Sequence, residues 1–434
     1  MSGADSARGA ADGERGTGWS RIISAERHEV PAVIGGFVLF FLIFASYFML
    51  RPVRETFGIA GGTDNLQWLF TATFVATLAV VPPYGWLSRR VARRWLLHAT
   101  YGISALVMFG FSLSLAGDPD NVWVARAFYV WLSVFNLFVI SIAWSFMADI
   151  FRPEQAHRLF GQVAAGASLG GLVGPLLSAV LVEPLGHAGL LAISTAGLLL
   201  TLPVIGWLQR WAGDRYAEAG EAAKPVGGSI WAGLTLILKS RYLLMIAGFV
   251  VLLTIVSTFL YMEQARIVEA TFPDPVRQTQ VFGTLDAVVQ ASTIGLQLFA
   301  TGQLAKRLGV TALLTIVPIL MVFGYGLLAF VATFPVFAGV MILRRVGEYA
   351  FVRPGREMLF APVDQETKYK AKNAIDTAVY RGGDAVGAWA SAGIVALATT
   401  SAASIAGAVV AAAWAAMGYV IGRRSDRASK DLPG

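Results

Sequence analysis

Apolar runs of about 20 residues, each long enough to cross the roughly 30 Å hydrocarbon core of a bilayer as a helix, recur along this chain. Twelve of them start near residues 31, 66, 95, 122, 159, 187, 242, 279, 309, 334, 373 and 401. A soluble fold cannot hide so many, and composition agrees: 56% of the 434 residues are hydrophobic and 14% charged. That is too little charge to clothe a water-soluble exterior, which excludes soluble enzymes, nucleic-acid modules and disordered scaffolds. The expected class is an all-α polytopic membrane protein.

Punctuation divides the runs. Residues 1–29, rich in Gly, Ala, Ser, Arg and Asp, read as a mobile cytoplasmic tail. The run that follows is too long for a signal-peptide core, and no small-residue cleavage site succeeds it. The polar stretch 210–241, with Gly213, Asp214, Gly220, Pro225, Gly227 and Gly228, splits the spans six and six. The expected organisation is an N-terminal six-helix bundle over 30–209, a cytoplasmic linker over 210–241, a C-terminal six-helix bundle over 242–422 and a cytoplasmic tail over 423–434.

Charge placement gives the orientation. The chain carries a net charge of +7, and 26 of its 34 Lys and Arg fall in the tails, the linker and the loops after spans 2, 4, 8 and 10. The opposite loops are assigned Arg51, Arg54, Arg266 and Arg277, while Arg126, Arg344, Arg345 and Arg381 fall inside spans. The basic excess is therefore a topology signal rather than a nucleic-acid footprint, and both termini are expected in the cytoplasm. The chain has no cysteine, and its four histidines, His28, His98, His157 and His187, lack metal-ligand spacing. No catalytic group, cofactor or metal is expected.

The halves echo each other. YFMLRPVRETFG (47–58) after span 1 answers FLYMEQARIVEATF (259–272) after span 7. YGWLSRRVARR (84–94) answers TGQLAKRLG (301–309), and DIFRPEQAHR (149–158) answers PVDQETKYK (362–370). With its duplicated halves and a Gly-x-Leu-x-x-basic loop after spans 2 and 8, the chain resembles the major facilitator superfamily. The resemblance implies a midplane cargo site between two rocking bundles, lined by spans 1, 4, 7 and 10, with spans 3, 6, 9 and 12 facing lipid.

A charge at the bilayer centre costs about 2.5–3.5 kcal/mol, so retained ones are candidates for function. Arg344, Arg345 and Glu348 form the deepest cluster; Arg344 and Glu348, four apart, share a helix face and can pair in the empty carrier. Arg51, Arg54 and Glu55 share another face if the first helix runs about two turns beyond Leu50, and Glu263 and Arg266 have the equivalent setting on span 7. Asp376, Arg381 and Asp384 lie on span 11, Asp286 on span 8 and Asp149 at the end of span 4. Guanidinium groups bind phosphate and carboxylate bidentately, so the expected cargo is an anion. The carboxylates hold the arginines in the empty state or carry a coupled proton; Asp149, Asp286, Asp376 and Asp384 are the coupling or gating candidates. Gly166, Gly170 and Gly174, at four-residue spacing on span 5, predict close helix packing. The same stretch is similar to the glycine-proline motif of drug/proton antiporters.

The segment RPGREMLFAPVDQETKYKAKNAIDTAVYRGGD (353–384) resembles the nucleotide transporter family of bacterial and plastid ATP/ADP antiporters. Pro354, Glu357, Met358, Pro362, Asp364, Lys368, Lys370, Lys372, Ile375 and Asp376 match its Pro-x-Lys-Glu-Met, Pro-Leu-Asp and Lys-x-Lys-x-Lys elements, with Arg356 in place of a Lys. Leu50-Arg51 and Arg54-Glu55 stand where the family has Leu-Arg and Lys-Asp. The resemblance implies exchange of nucleoside phosphates, with Arg51, Arg54 and Arg356 on phosphate. Asp384 departs from it, standing where the family carries Lys, and a reversed charge there repels phosphate.

The expected function is secondary active transport of an anionic solute, a nucleotide or other organophosphate, by alternating access. The expected setting is a bacterial inner membrane, with the lipid bilayer and the solute as partners, no nucleic acid, and a working monomer. The alternative is a proton-coupled exporter of drugs or amphiphiles. An intramembrane enzyme is disfavoured because no His/Asp/Glu or Ser/His constellation occurs within the spans.

Overall fold

The computed structural model describes residues 25–91, 93–213 and 230–430, and among them there are helices and no strands. Most of the proposed amino-terminal tail, residues 214–229 of the proposed linker and the last four residues lie outside the described part. The helices are α1 (Val30–Ile59), α2 (Leu66–Arg90), α3 (Arg93–Gly117), α4 (Val122–Ile150), α5 (Pro153–Ala212) and α6 (Ile230–Lys239). They continue with α7 (Arg241–Thr271), α8 (Pro275–Leu296), α9 (Gly302–Phe330), α10 (Phe334–Gly347), α11 (Arg353–Met358), α12 (Gln365–Ala374), α13 (Tyr380–Leu397) and α14 (Thr400–Lys430).

Local chemistry explains the boundaries. Pro31 opens α1, where a missing N–H costs nothing, and Gly61 and Gly62 beyond its end take φ of 82° and 92°, a left-handed turn open to glycine. Asn121 caps α4 by accepting from the Trp123 and Val124 amides at 3.1 Å; Asp274 caps α8 from the Val276 and Arg277 amides, with Pro275 behind it. Gly186, with φ 64°, folds α5 into two arms, and Gly309, with φ 71°, bends α9. The amides freed by the bend after Gly309 are met by the Asp426 carboxylate of α14, which accepts from Val310 N at 2.9 Å and Thr311 N at 3.1 Å.

Eight helices among the described residues are long and apolar enough to cross a membrane. One of these stretches, Arg158–Ala212, has 55 residues. A straight helix of that length would extend about 80 Å, and the fold at Gly186 divides it into two arms, each long enough to cross a bilayer. The charged rods α8 and α10–α13 fall outside the set. In them, π-helical turns at Gln297–Thr301, Glu348–Val352 and Ile375–Val379 join successive helices where an α-only reading expects breaks or uniform helix. Helix also extends into the expected linker, at Ile230–Lys239, and into the expected carboxyl tail, from 423 through Lys430.

Two apolar cores form, one from residues between Ala25 and Ala212, the other between Ile237 and Ile421. In the first, α5 lies directly along α1. A Cβ on Gly166, Gly170 or Gly174 would stand 2.2, 2.6 or 2.7 Å from the carbonyl oxygens of Phe37, Phe41 and Ala45, so only glycine allows this approach. In the second, Gly418 and Gly422 bring α14 equally close to Leu314 and Thr311 of α9. Large apolar side chains such as Leu106, Phe109, Leu200, Phe323, Leu327 and Val409 remain exposed on α3, the second arm of α5, α9 and α14, forming a belt for lipid.

At one end of the amino-terminal core, the Glu29 carboxylate is buried and accepts from Arg158 Nη2 at 2.9 Å, Gln155 Nε2 at 2.8 Å and Glu26 N at 2.9 Å. Burial pushes its pKa up, but these three donors outweigh burial and hold it below the ordinary value of 4.5.

Candidate substrate cavity

Between the cores lies a hollow of about 850 Å³, counting its open mouth. Its walls come from α1, α2, α4, α7, α8, α10 and α13, so α2, α8 and α13 join the four spans expected to line it. Five guanidinium groups reach it, from Arg51, Arg54, Arg344, Arg345 and Arg381, with the carboxylates of Glu55, Asp286 and Asp384. All eight are among the site candidates named from the sequence. Arg51, Arg54 and Glu55 reach it because α1 stays helical for nine residues past Leu50, ending at Ile59. The assignment of Arg51 and Arg54 to a loop is therefore corrected, as is that of Arg266, which lies within α7.

Each arginine has a partner. Arg54 Nη2 donates to Glu55 Oε1 at 2.5 Å and Nη1 to Ser133 Oγ at 3.3 Å, and its guanidinium lies 5.2 Å from the Tyr129 ring centre. Arg344 Nη1 donates to Ser257 Oγ at 2.7 Å and Glu348 Oε2 at 2.8 Å, the four-residue pairing its helix face allows. Glu348 is buried behind Arg344 and does not itself line the hollow. Arg381 stands 3.5 Å from Asp384 Oδ2, whose Oδ1 accepts from Thr258 Oγ1 at 3.1 Å. Asp286 joins the halves: Arg345 donates to its Oδ1, and Arg51 Nε lies 3.6 Å from its Oδ2.

Five candidates lie elsewhere. Glu263 and Arg266 pair with each other at 3.3 Å outside the lining. The lining residues of α7 are Ser257, Thr258, Tyr261 and Gln264; two residues on from the last two, the helix has turned about 200°, so Glu263 and Arg266 point away. Arg356 and Asp376 pair at 3.0 Å between α11 and the π-turn before α13, also outside the lining. Asp149 lies at the far end of α4, 16 residues and about 24 Å along the axis from Ser133. Tyr129, Ser133, Ser257, Tyr261, Gln264 and Tyr380, uncharged and so unmarked in the sequence, also line the hollow. Proximity to charge was the signal available: Tyr380 adjoins Arg381, and Tyr261 precedes Glu263 by two residues.

One end of the hollow is sealed. Tyr129 OH donates to Tyr261 OH at 3.2 Å, Thr56 Oγ1 and Thr279 Oγ1 are 2.7 Å apart, and His187 Nε2 lies 2.9 Å from Thr279 Oγ1. A third apolar cluster, including Ile59, Leu66, Leu69, Met262, Val268, Phe282 and Ala388, crosses between the halves there. Two helical cores thus flank a central polar hollow that contacts between the halves close at one end.

Residues 32–273, more than half of the chain, match the profile of the Major Facilitator Superfamily. The chain belongs to that superfamily. Residues 218–422 match the TLC ATP/ADP transporter profile, so this facilitator resembles ATP/ADP antiporters. ADP,ATP carrier protein 1 of Chlamydia muridarum (strain MoPn / Nigg) is 22% identical to it over 440 residues, covering 85% of this chain and 82% of that one. Multidrug resistance protein MdtG of Serratia proteamaculans (strain 568) is 27% identical over 173 residues, covering 38% of this chain and 40% of that one. Among solved structures, the nucleoside transporter NupG superposes with a TM-score of 0.66 at 13% identity, over 89% of this chain and 98% of that one. This facilitator is a multi-pass membrane protein and a secondary transporter rather than an enzyme.

Proposed function

We propose that this facilitator carries an anionic solute, a nucleotide or another organophosphate, by rocking two six-helix halves around the arginine-lined hollow. The observation that carries the reading is the convergence of Arg51 and Arg54 from one half with Arg344, Arg345 and Arg381 from the other. Guanidinium groups on both walls contact one anion from two sides, so binding favours closure of the halves around it. In the empty carrier the carboxylates neutralise these arginines, and cargo takes over part of that role. Likeness to the chlamydial ADP,ATP carrier supports a nucleotide within the anion class.

In this reading twelve crossings bound the bundles at 30–209 and 242–422, with the basic loops, the linker and both termini in the cytoplasm of a bacterial inner membrane. The sealed end then faces outward, and the working unit is a monomer. Arg356 and Asp376, paired outside the lining, act near the cytoplasmic mouth rather than on bound cargo, and Glu263, Arg266 and Asp149 serve in gating.

Reconstituted carrier should take up labelled nucleotide faster when the liposomes are loaded with unlabelled nucleotide; absence of any counterflow removes the exchange claim. A second reading, proton-coupled export of drugs or amphiphiles, is favoured by the partial match to MdtG. Efflux of organic cations driven by a pH gradient would select it.

A further inference from the structure

The charge balance around the hollow deepens the anion reading, on which the inference rests. Among the described residues, five guanidinium groups line the hollow, and the carboxylates paired with them are Glu55, Asp286, Glu348 and Asp384. Asp286 serves two arginines, Arg51 and Arg345, so one positive charge on the wall lacks its own counterion. Outside the lining, Arg353, whose side chain is 58% exposed, lies 4.0 Å from Glu348, which Arg344 already holds, and adds a second, more solvated surplus charge nearby. The pair Arg356–Asp376 is balanced and adds nothing.

Unmet hydrogen bonds count the same way. Arg54 Nε, Arg344 Nε, and Arg345 Nε and Nη2 are buried donors without a partner, whereas only Glu55 Oε2 and Asp286 Oδ2 are unmet acceptors among these charged groups. Such donors are unfavourable until an acceptor arrives, so this cluster fits a compact group that brings oxygens and little charge. Further negative charges would stand uncompensated in a membrane-embedded space, beside three lining carboxylates.

We propose that this carrier selects cargo by charge count: the hollow accepts a group with one or two negative charges, such as a phosphomonoester, and Asp286 sets that limit by occupying part of the anion site. Nucleoside di- and triphosphates exceed the surplus. Because Asp286 spans both halves, it is a specificity-determining residue that also stabilises the empty conformation.

The test measures binding to the full chain in nanodiscs by thermal shift and by competition. Inorganic phosphate, pyrophosphate and tripolyphosphate form one series; AMP, ADP and ATP form the other. The shortest member of each should bind at least about tenfold more tightly than the longest. Affinity that rises with phosphate number would overturn the charge limit while leaving the anion reading intact, whereas no binding by any member would overturn the anion reading itself. Asp286→Asn should move the preference about tenfold toward the diphosphate relative to the monophosphate. Where that variant is not monodisperse, Asp384→Asn makes the same change of charge on the same wall, and an unchanged preference in a folded variant overturns the proposal.

Discussion

Arg51 on α1 and Asp286 on α8 stand 3.6 Å apart across the division between the two halves, and Asp286 also accepts from Arg345 on α10. Asp286 is 3% exposed and Arg345 6%, so this bridge has left water almost entirely. A buried ion pair contributes little net stability when intact, because desolvation offsets attraction. Removing one partner is costly because the other charge is left uncompensated.

Asp286→Ala should therefore destabilise the empty carrier by about 3–5 kcal/mol, while an Asp286→Leu/Arg345→Met double variant should recover part of that loss, Arg51 keeping only Glu55 at 4.0 Å. Thermal unfolding in one detergent compares them. If the single variant melts like the parent, the bridge is not the cross-half tie described above.

Replacing Arg54 or Arg344 with Gln removes a charge-assisted donor, worth roughly 1.5–3 kcal/mol, and should weaken anion binding by about 10- to 100-fold. Arg266→Gln, whose side chain points away from the hollow, should leave binding nearly unchanged. Competition for a labelled anion separates these cases. Equal losses at all three positions would deny the hollow its role.

The α1–α5 contact gives a packing prediction. Gly170→Val puts a branched side chain where even a Cβ would lie 2.6 Å from the Phe41 carbonyl oxygen. It should cost at least about 1–3 kcal/mol by overpacking. Gly161→Ala, with nothing within 4 Å of its Cβ, should be neutral or slightly stabilising. Melting temperatures of the two variants check the contrast.

Glu29 gives a pH prediction. Its pKa is held below 4.5 in the folded chain, so its contribution is fully present above that value and is lost as pH falls through the lower folded value. Glu29→Gln should lower the melting temperature at neutral pH, and the gap to the parent should narrow as pH falls below about 4.5. A constant gap across that range would mean the Arg158 and Gln155 contacts do not act through charge.

The absence of cysteine makes access measurable. Ser257→Cys introduces a lone thiol on the wall beside Arg344. An impermeant thiol reagent should reach it from the side of the basic loops, and not from the sealed side in the empty carrier. Bound anion should slow the reaction.

Much of this protein was legible residue by residue. The apolar spans were readable because crossing a bilayer requires a continuous apolar run, a local property, whereas the charged helices α8, α10 and α13 fall short of such a run; the ends at Gly61–Gly62, Asn121 and Asp274–Pro275 follow from turn and cap chemistry within four residues. The pairing of Arg344 with Glu348 was available for the same reason, since helical repeat alone brings such residues together. Close packing along Gly166, Gly170 and Gly174 was also local, although its partner, α1, was not.

Tertiary structure decided which charges meet. Asp286 and Arg51 are 235 positions apart, and no periodicity links them. Glu263 and Arg266 carried the same sequence signal as Arg51 and Arg54, yet point away from the hollow, because the face a helix turns inward depends on its neighbours. Hydropathy along one chain states that a charge lies within the membrane. Only the packing of helices against each other determines whether that charge meets cargo, a counterion or another wall.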